Sequence, residues 1–246
     1  MFNLFKKQGH TDLKWVGTDM HSHLLPGIDD GVQEPLTSVN FIRTLRELGL
    51  SRFIITPHVY DEVYPNTSET IAESHSRLKN ELCKEGLEEV YTFAAAEHML
   101  GEQFVSTLVE GKLNPLPDNF LLIEMPWLAE PIQLEQTIFQ LVTKGYKPVM
   151  AHPERYTFYF QRPHMYHRLK ELGCLLQLNL LSVTGYYGKD VTKAAIYLIK
   201  NGLYDLVGTD LHHERHLEKI VQYTRSGQAY RDLGGLNLQN QYLFGK

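Results

Sequence analysis

Seven short β-rich runs, each followed by a stretch of helical period, constrain this chain more than any other feature. The runs are residues 15–20, 52–56, 90–95, 119–125, 147–151, 174–179 and 205–208. Helical stretches separate them, among them 35–48, 68–84, 133–143, 164–172 and 191–200. Several close on a glycine (Gly49, Gly86, Gly145, Gly173, Gly202), the residue best able to take the left-handed turn that ends a helix. Repeated strand, helix and cap units make an α/β protein, as a closed barrel or as an open doubly wound sheet. The loop after the first run lacks the GxGxxG of a dinucleotide fold, which favours a barrel. A length of 246 residues, 43% hydrophobic and 22% charged, matches the ~250 residues of one α/β barrel domain. A single domain over 1–246 is expected, with a short N-terminal arm (about 1–14) and a C-terminal extension (about 235–246) that is either a final helix on the barrel or an oligomer contact.

The formal net charge is −5, and the only basic run is the pair Lys6-Lys7. A chain that tracks a phosphate backbone needs a basic face, so nucleic acid is disfavoured as a partner. The start MFNLFKKQGH is too short of apolar residues for a signal-peptide core, and no apolar run approaches the ~20 residues of a membrane span. A cytoplasmic setting without membrane insertion is the expectation. Cys83 and Cys174 lack CxxC spacing, which disfavours a disulfide frame or thiolate zinc site and leaves buried thiols as the expectation.

The loop DMHSHLLPGIDDGVQ, residues 19–33, packs two histidines and three aspartates beside turn residues. Histidines two apart on an extended chain face the same side, so His21 and His23 can chelate one ion, with Asp29 or Asp30 turned back towards them. The remaining strand ends repeat the pattern. The second run leads into His58, the third into Glu97, the fifth into His152, and the last into Asp210 and His212. In a parallel barrel all strand carboxyl ends share one face, so these residues converge. Structural histidines do not account for ligand-type residues at five of seven strand ends. Eight groups (His21, His23, Asp30, His58, Glu97, His152, Asp210, His212) exceed the roughly three protein ligands of one catalytic ion. Two or three divalent ions are implied, with Glu97 or Asp210 able to bridge; mixed imidazole and carboxylate donors leave zinc, manganese, iron or magnesium open.

Taken together, HxH followed by DDG, the His after the second strand, the Glu of AAAE, the AHPERY stretch and the closing D-x-H resemble the PHP (polymerase and histidinol phosphatase) superfamily, and most of all its bacterial CapC/CpsB/YwqE-type tyrosine-protein phosphatases. The resemblance spans residue 19 to about residue 216. It implies a distorted seven-stranded TIM-like barrel and a trinuclear centre: His21, His23, Glu97 and Asp210 on one ion, Glu97 and His152 on a second, Asp30, His58 and His212 on a third. It makes Asp30, not Asp29, the ligand. It also implies catalytic, phosphate-binding roles for Arg155 and, with less secure spacing, Arg215, whose guanidinium forks suit phosphoryl oxygens. The implied reaction is hydrolysis of protein phosphotyrosine by metal-activated hydroxide. The implied partner is the flexible C-terminal tail of a tyrosine autokinase controlling capsule or exopolysaccharide synthesis.

A cysteine mechanism is excluded from the residues themselves: the arginine of C-x5-R is replaced by Glu89 and Leu180 after the two cysteines. Tyr60, Tyr64, Tyr156, Phe158, Tyr159, Tyr186 and Tyr187 follow strands and either pack loops or wall a phosphotyrosine ring. Three other functions compete. A histidinol phosphatase shares the centre but fits DDG and AHPERY less well. An amidohydrolase needs a bridging lysine near the fourth strand, where Glu124 stands. A non-catalytic kinase-binding module has no need of a complete ligand set.

Overall fold

In the computed structural model, which describes residues 10–245, strands and helices alternate from the start. In chain order the elements are β1 (Thr18–Asp19), α1 (Pro35–Glu47), β2 (Arg52–Ile55), β3 (His58–Val59), α2 (Ser68–Lys84), β4 (Tyr91–Ala94), β5 (Glu97–Met99), α3 (Glu102–Glu110) and β6 (Phe120–Glu124). There follow α4 (Leu134–Thr143), β7 (Lys147–Ala151), α5 (His164–Glu171), β8 (Leu175–Asn179), α6 (Lys189–Lys200), β9 (Leu206–Gly208), α7 (Glu214–Arg225), α8 (Gln228–Leu233) and α9 (Asn240–Phe244). Local chemistry sets several boundaries. Pro35 opens α1 at a position where its missing N–H costs nothing. Thr67 and Thr70 bond reciprocally in a capping box that starts α2.

All strand pairs are parallel, in sheets ordered β1-β2-β4 and β3-β5-β6-β7-β8-β9. A parallel bridge between Ser22 and Leu211 joins the chain after β1 to the chain after β9. The side-chain period of two then sorts the core. Met20, Ile54, Ala95, Leu122, Val149, Ala151 and Leu206 form one cluster with Phe120 and Phe244. The alternate residues Phe53, Ile55, Leu121, Ile123 and Met150 join the larger cluster shared with the helices. Residues from strands of both sheets meet in the smaller cluster, which requires the parallel array to curl around it.

The strand count departs from seven. In the second and third runs pairing stops after four residues and resumes just beyond each run as β3 and β5, giving nine short strands among the described residues. Pro57, which has no N–H to donate, interrupts the second; its carbonyl accepts from Glu97 N at 3.0 Å as pairing resumes in the other sheet. The first run is paired over Thr18–Asp19 alone, because residues 12–17 turn: Trp15 Nε1 donates to Asp12 O at 2.9 Å and Gly17 N to Leu13 O at 3.0 Å. Of the N-terminal arm, residues 1–9 lie outside the described residues, while Leu13 is buried and donates to Leu48 O. The C-terminal stretch forms α9 across the amino ends of the strands. Asn240 donates to Thr18 O and Val207 O and accepts from Val207 N, and Phe244 packs edge-on against Phe120. The thiol expectation fails at one position: Cys174 is buried, its pKa pushed up to about 12 by burial, but Cys83 lies on the exposed face of α2.

Candidate metal centre

Parallel strands deliver their carboxyl ends to one face, and the eight strand-end residues meet there. Beyond β1, Met20 packs into the inner cluster, and His21 and His23 bring their imidazoles together at the strand end. Two glycines make room for them. A Cβ on Gly208 would lie 2.6 Å from the His21 Cβ, and one on Gly31 would lie 2.2 Å from the His23 carbonyl oxygen. The loop from His23 to Val32 folds back, Val32 N donating to His23 O at 3.1 Å, which sets Asp29 against His23 Nδ1 and Asp30 beside His58.

Nε2 of His21 and Nε2 of His23 are 3.2 Å apart. Both approach Glu97 Oε2 (3.3 and 3.4 Å) and Asp210 Oδ1 (3.3 Å each). His152 Nε2 is 3.0 Å from Glu97 Oε1. His58 places Nδ1 3.1 Å from Glu97 Oε2 and Nε2 3.6 Å from Asp30 Oδ1; His212 Nε2 is 3.7 Å from the same Asp30 oxygen. Four overlapping donor groups result: His23 with Asp30, His58 and His212; His21 with His152 and Asp210; His21 with His23 and Glu97; and His58 with Glu97 and Glu124.

The donors fit divalent cations. His21 Nδ1 is held by Gln177 Oε1 at 2.8 Å, His23 Nδ1 by Asp29 Oδ2 at 2.8 Å, and His212 Nδ1 by the Asp210 carbonyl at 2.9 Å. A ring nitrogen that donates to such a partner leaves Nε2 as a lone-pair acceptor, the arrangement found behind metal-bound histidines. Two such lone pairs facing each other repel unless a cation lies between. Their 3.2 Å spacing is close to the ~3.3 Å tetrahedral edge about an ion with ~2.0–2.1 Å bonds. Although His58 Nδ1 approaches both carboxylates, Glu97 Oε2, both Glu124 oxygens and His152 Nδ1 are buried without a well-aligned hydrogen bond, a costly state unless another ligand satisfies them.

The electrostatics agree. Burial opposes charge on every group, yet Glu97 and Asp210 are held well below the usual carboxylate range by His21 and its neighbours. Burial and His23 oppose protonation of His58, but Glu124 and Glu97 carry its pKa up to about 10. The carboxylates demand positive charge at this spot, and protons supply it when nothing else does. Backbone strain marks the same place: His152 and Asp210 have φ of 32° and 50°, rare for residues other than glycine.

Arg155 borders the centre. Its Nη1 donates to Asp210 Oδ2 at 2.7 Å, and its guanidinium lies between the rings of Trp127 and Tyr187, 4.6 and 4.4 Å from their centroids. Arg215 does not reach the centre; it is exposed and lies over Tyr186, 5.8 Å from the ring centroid. Tyr156 and Tyr159, expected among loop aromatics, are wholly buried. The Tyr156 hydroxyl accepts from Met125 N and donates to Ala151 O, so Tyr156 braces the loop after β6 and cannot meet a ligand. Tyr64 stacks on His58 and Trp127 on His152, each with 13° between ring planes.

Four functional neighbours escape the sequence reading. Glu124 ends β6 with Oε1 2.9 Å from His58 Nδ1; the strand-end rule that selects Glu97 selects it too once the fourth strand is treated alike. Gln177 lies at the middle of β8 and Asn179 ends it, the latter donating to Asp210 Oδ2 at 2.7 Å, but neutral amides carry no ligand signal. Trp127, in the loop after β6, has none either.

Fold and site together define an α/β protein whose parallel strands build one histidine–carboxylate centre suited to divalent metal ions. The chain belongs to the CpsB/CapC family of capsular polysaccharide synthesis, whose model matches residues 17–226. It is 31% identical over 196 residues to the tyrosine-protein phosphatase YwqE of Bacillus subtilis, covering 79% of this chain and 77% of that protein. To the tyrosine-protein phosphatase CpsB of Streptococcus pneumoniae it is 25% identical over 201 residues, 79% of this chain and 82% of the relative. A solved structure from work on YwqE and CpsB, described as unique metal-dependent tyrosine phosphatases, superposes with TM-score 0.76 at 29% identity, covering 92% of this chain and 96% of that one. A lactonase from Listeria monocytogenes, at 12% identity and TM-score 0.55 over 94% of this chain and 92% of its own, shares the fold alone.

Proposed function

We propose that this chain is a metal-dependent tyrosine-protein phosphatase of capsule or exopolysaccharide synthesis. The observation that carries the reading is the convergence of His21, His23, His58, His152, His212, Asp30, Glu97 and Asp210 on one strand-end face, with Arg155 beside them. In this reading the nine strands are seven segments of a distorted barrel closed at the Ser22–Leu211 bridge, and the chain is one domain. Those eight residues, joined by Glu124, would hold two or three ions of manganese, iron, zinc or magnesium. Such ions supply Lewis acidity, acidifying a water and neutralising phosphoryl oxygens.

The chain's own groups do the rest. Asp29 and Gln177 orient the two imidazoles of the HxH pair. Arg155, steadied by two rings and Asp210, presents its remaining guanidinium N–H groups to phosphoryl oxygens. Trp127, 45% exposed, and Tyr64 flank the mouth and wall a phenyl ring. A phenolate leaves more readily than an alkoxide, so a phosphotyrosine ester relies less on a general acid. The substrate in this proposal is a phosphotyrosine protein, the extended tail of a tyrosine autokinase. A cytoplasmic setting suits the free thiols Cys83 and Cys174.

Matched phosphotyrosine and phosphoserine peptides and histidinol phosphate, assayed at one pH and metal loading, test this. Phosphotyrosine should be turned over fastest. Histidinol phosphate turned over far faster than any phosphotyrosine peptide would leave the centre standing and remove the protein-phosphatase reading.

A further inference from the structure

Beyond Tyr186 lies an open groove of about 780 Å³ between the 183–186 loop, α7 and α8, lined by Arg215, Lys219 and Arg231. Among the described residues, no carboxylate lies within ion-pair distance of any of these three cations. Arg231 bonds only the neutral oxygens of Gln228 and Ser226, and Lys219 only that of Gln222. The one carboxylate in the lining, Asp232, is taken up by Tyr223 Oη at 2.9 Å and Gln228 Nε2 at 2.5 Å.

Arg215 and Lys219 stand at i and i+4 on α7, where like charges repel, and the helix's own Glu214 and Glu218 make no ion pair with either of them. On a chain of net charge −5, such a concentration of unpaired positive charge points to an anionic ligand. The groove also adjoins the metal centre. Tyr186 lies edge-on to Tyr187 and to His216, at 4.9 and 5.1 Å between centroids. Tyr187 covers Arg155, and His216 Nδ1 accepts from His212 N at 3.4 Å. Groove and centre are thus two sides of one aromatic wall.

We infer that this groove is a docking subsite for an acidic stretch flanking the phosphotyrosine of the polypeptide substrate. The inference rests on the phosphatase reading and adds its sequence preference. Arg215 is then a residue of substrate docking and not of phosphoryl transfer, which explains its distance from the centre.

The test uses metal-loaded full-length protein and three substrates: a phosphotyrosine peptide with flanking glutamates, the same peptide with glutamines, and p-nitrophenyl phosphate. The acidic peptide should have a KM lower by roughly 3- to 10-fold, the worth of a few exposed ion pairs, and that advantage should shrink as salt rises. Lys219→Glu with Arg231→Glu should abolish the advantage while p-nitrophenyl phosphate kinetics persist. Equal KM values for the two peptides, or an acidic-peptide advantage in wild type indifferent to salt, would overturn the subsite, whatever the double variant does. Failure to turn over either peptide would instead bring down the phosphatase reading on which the subsite stands.

Discussion

At the scale of residues, the centre is held together by groups that are individually unfavourable. Left-handed backbone at His152 and Asp210 costs about 1–3 kcal/mol each, and the buried imidazoles and carboxylates forgo water. Arg155 is the residue whose role is most open to test. Its guanidinium is fixed by Trp127, Tyr187 and Asp210, so it is preorganised for a phosphoryl group. Arg155→Ala should lower kcat/KM on a phosphotyrosine peptide by roughly 10²-fold, about 3 kcal/mol of charge-assisted bonding. Arg155→Lys should restore only part of that, because an ammonium lacks the fork. Wild-type kinetics in the alanine variant would make Arg155 a structural partner of Asp210. The eight ligand-type residues were legible because imidazole and carboxylate at strand ends are a chemical signature. Gln177, Asn179 and Trp127 were not, because amides and indoles are equally at home in packing and only their contacts reveal a role.

Elements show where a one-dimensional pattern stops being informative. Helix boundaries such as 68–84 were readable from period and caps, but the strand breaks after Ile55 and Ala94 were not. Those breaks depend on which neighbour supplies the next hydrogen bond, a tertiary fact that Pro57 signals only in outline. The same limit applies to the C-terminal stretch, whose short helix earns its place by packing and not by propensity. Phe244 is 3% exposed against the inner cluster, so Phe244→Ala should destabilise by about 3 kcal/mol. In a domain of this size that lowers Tm by roughly 6 to 12 °C, readable in a thermal melt, with phosphotyrosine turnover retained at low temperature. An unchanged melting curve would mean that α9 merely rests on the strands.

Across the whole molecule, parallel pairing carries the logic from sequence to chemistry. It gathers residues from His21 to His212, spread over most of the chain, onto one face, leaving the amino ends to α9. The α/β class was legible from the alternation of runs, and the convergence from the rule that parallel strands share a carboxyl end. The paired and open arrangement of charges around that face was not, since nothing in the sequence tells that Arg155 lies against Tyr187 and bonds Asp210 while Arg215 lies out over Tyr186. On the proposed function this face works through divalent metal ions. The most direct measurement is the metal content of the purified chain together with its phosphotyrosine turnover, before chelation, after it and after adding metal back. Two or three ions per chain are expected, with loss of turnover to background on their removal and recovery on their return. Undiminished turnover by protein shown to be free of metal would contradict that expectation.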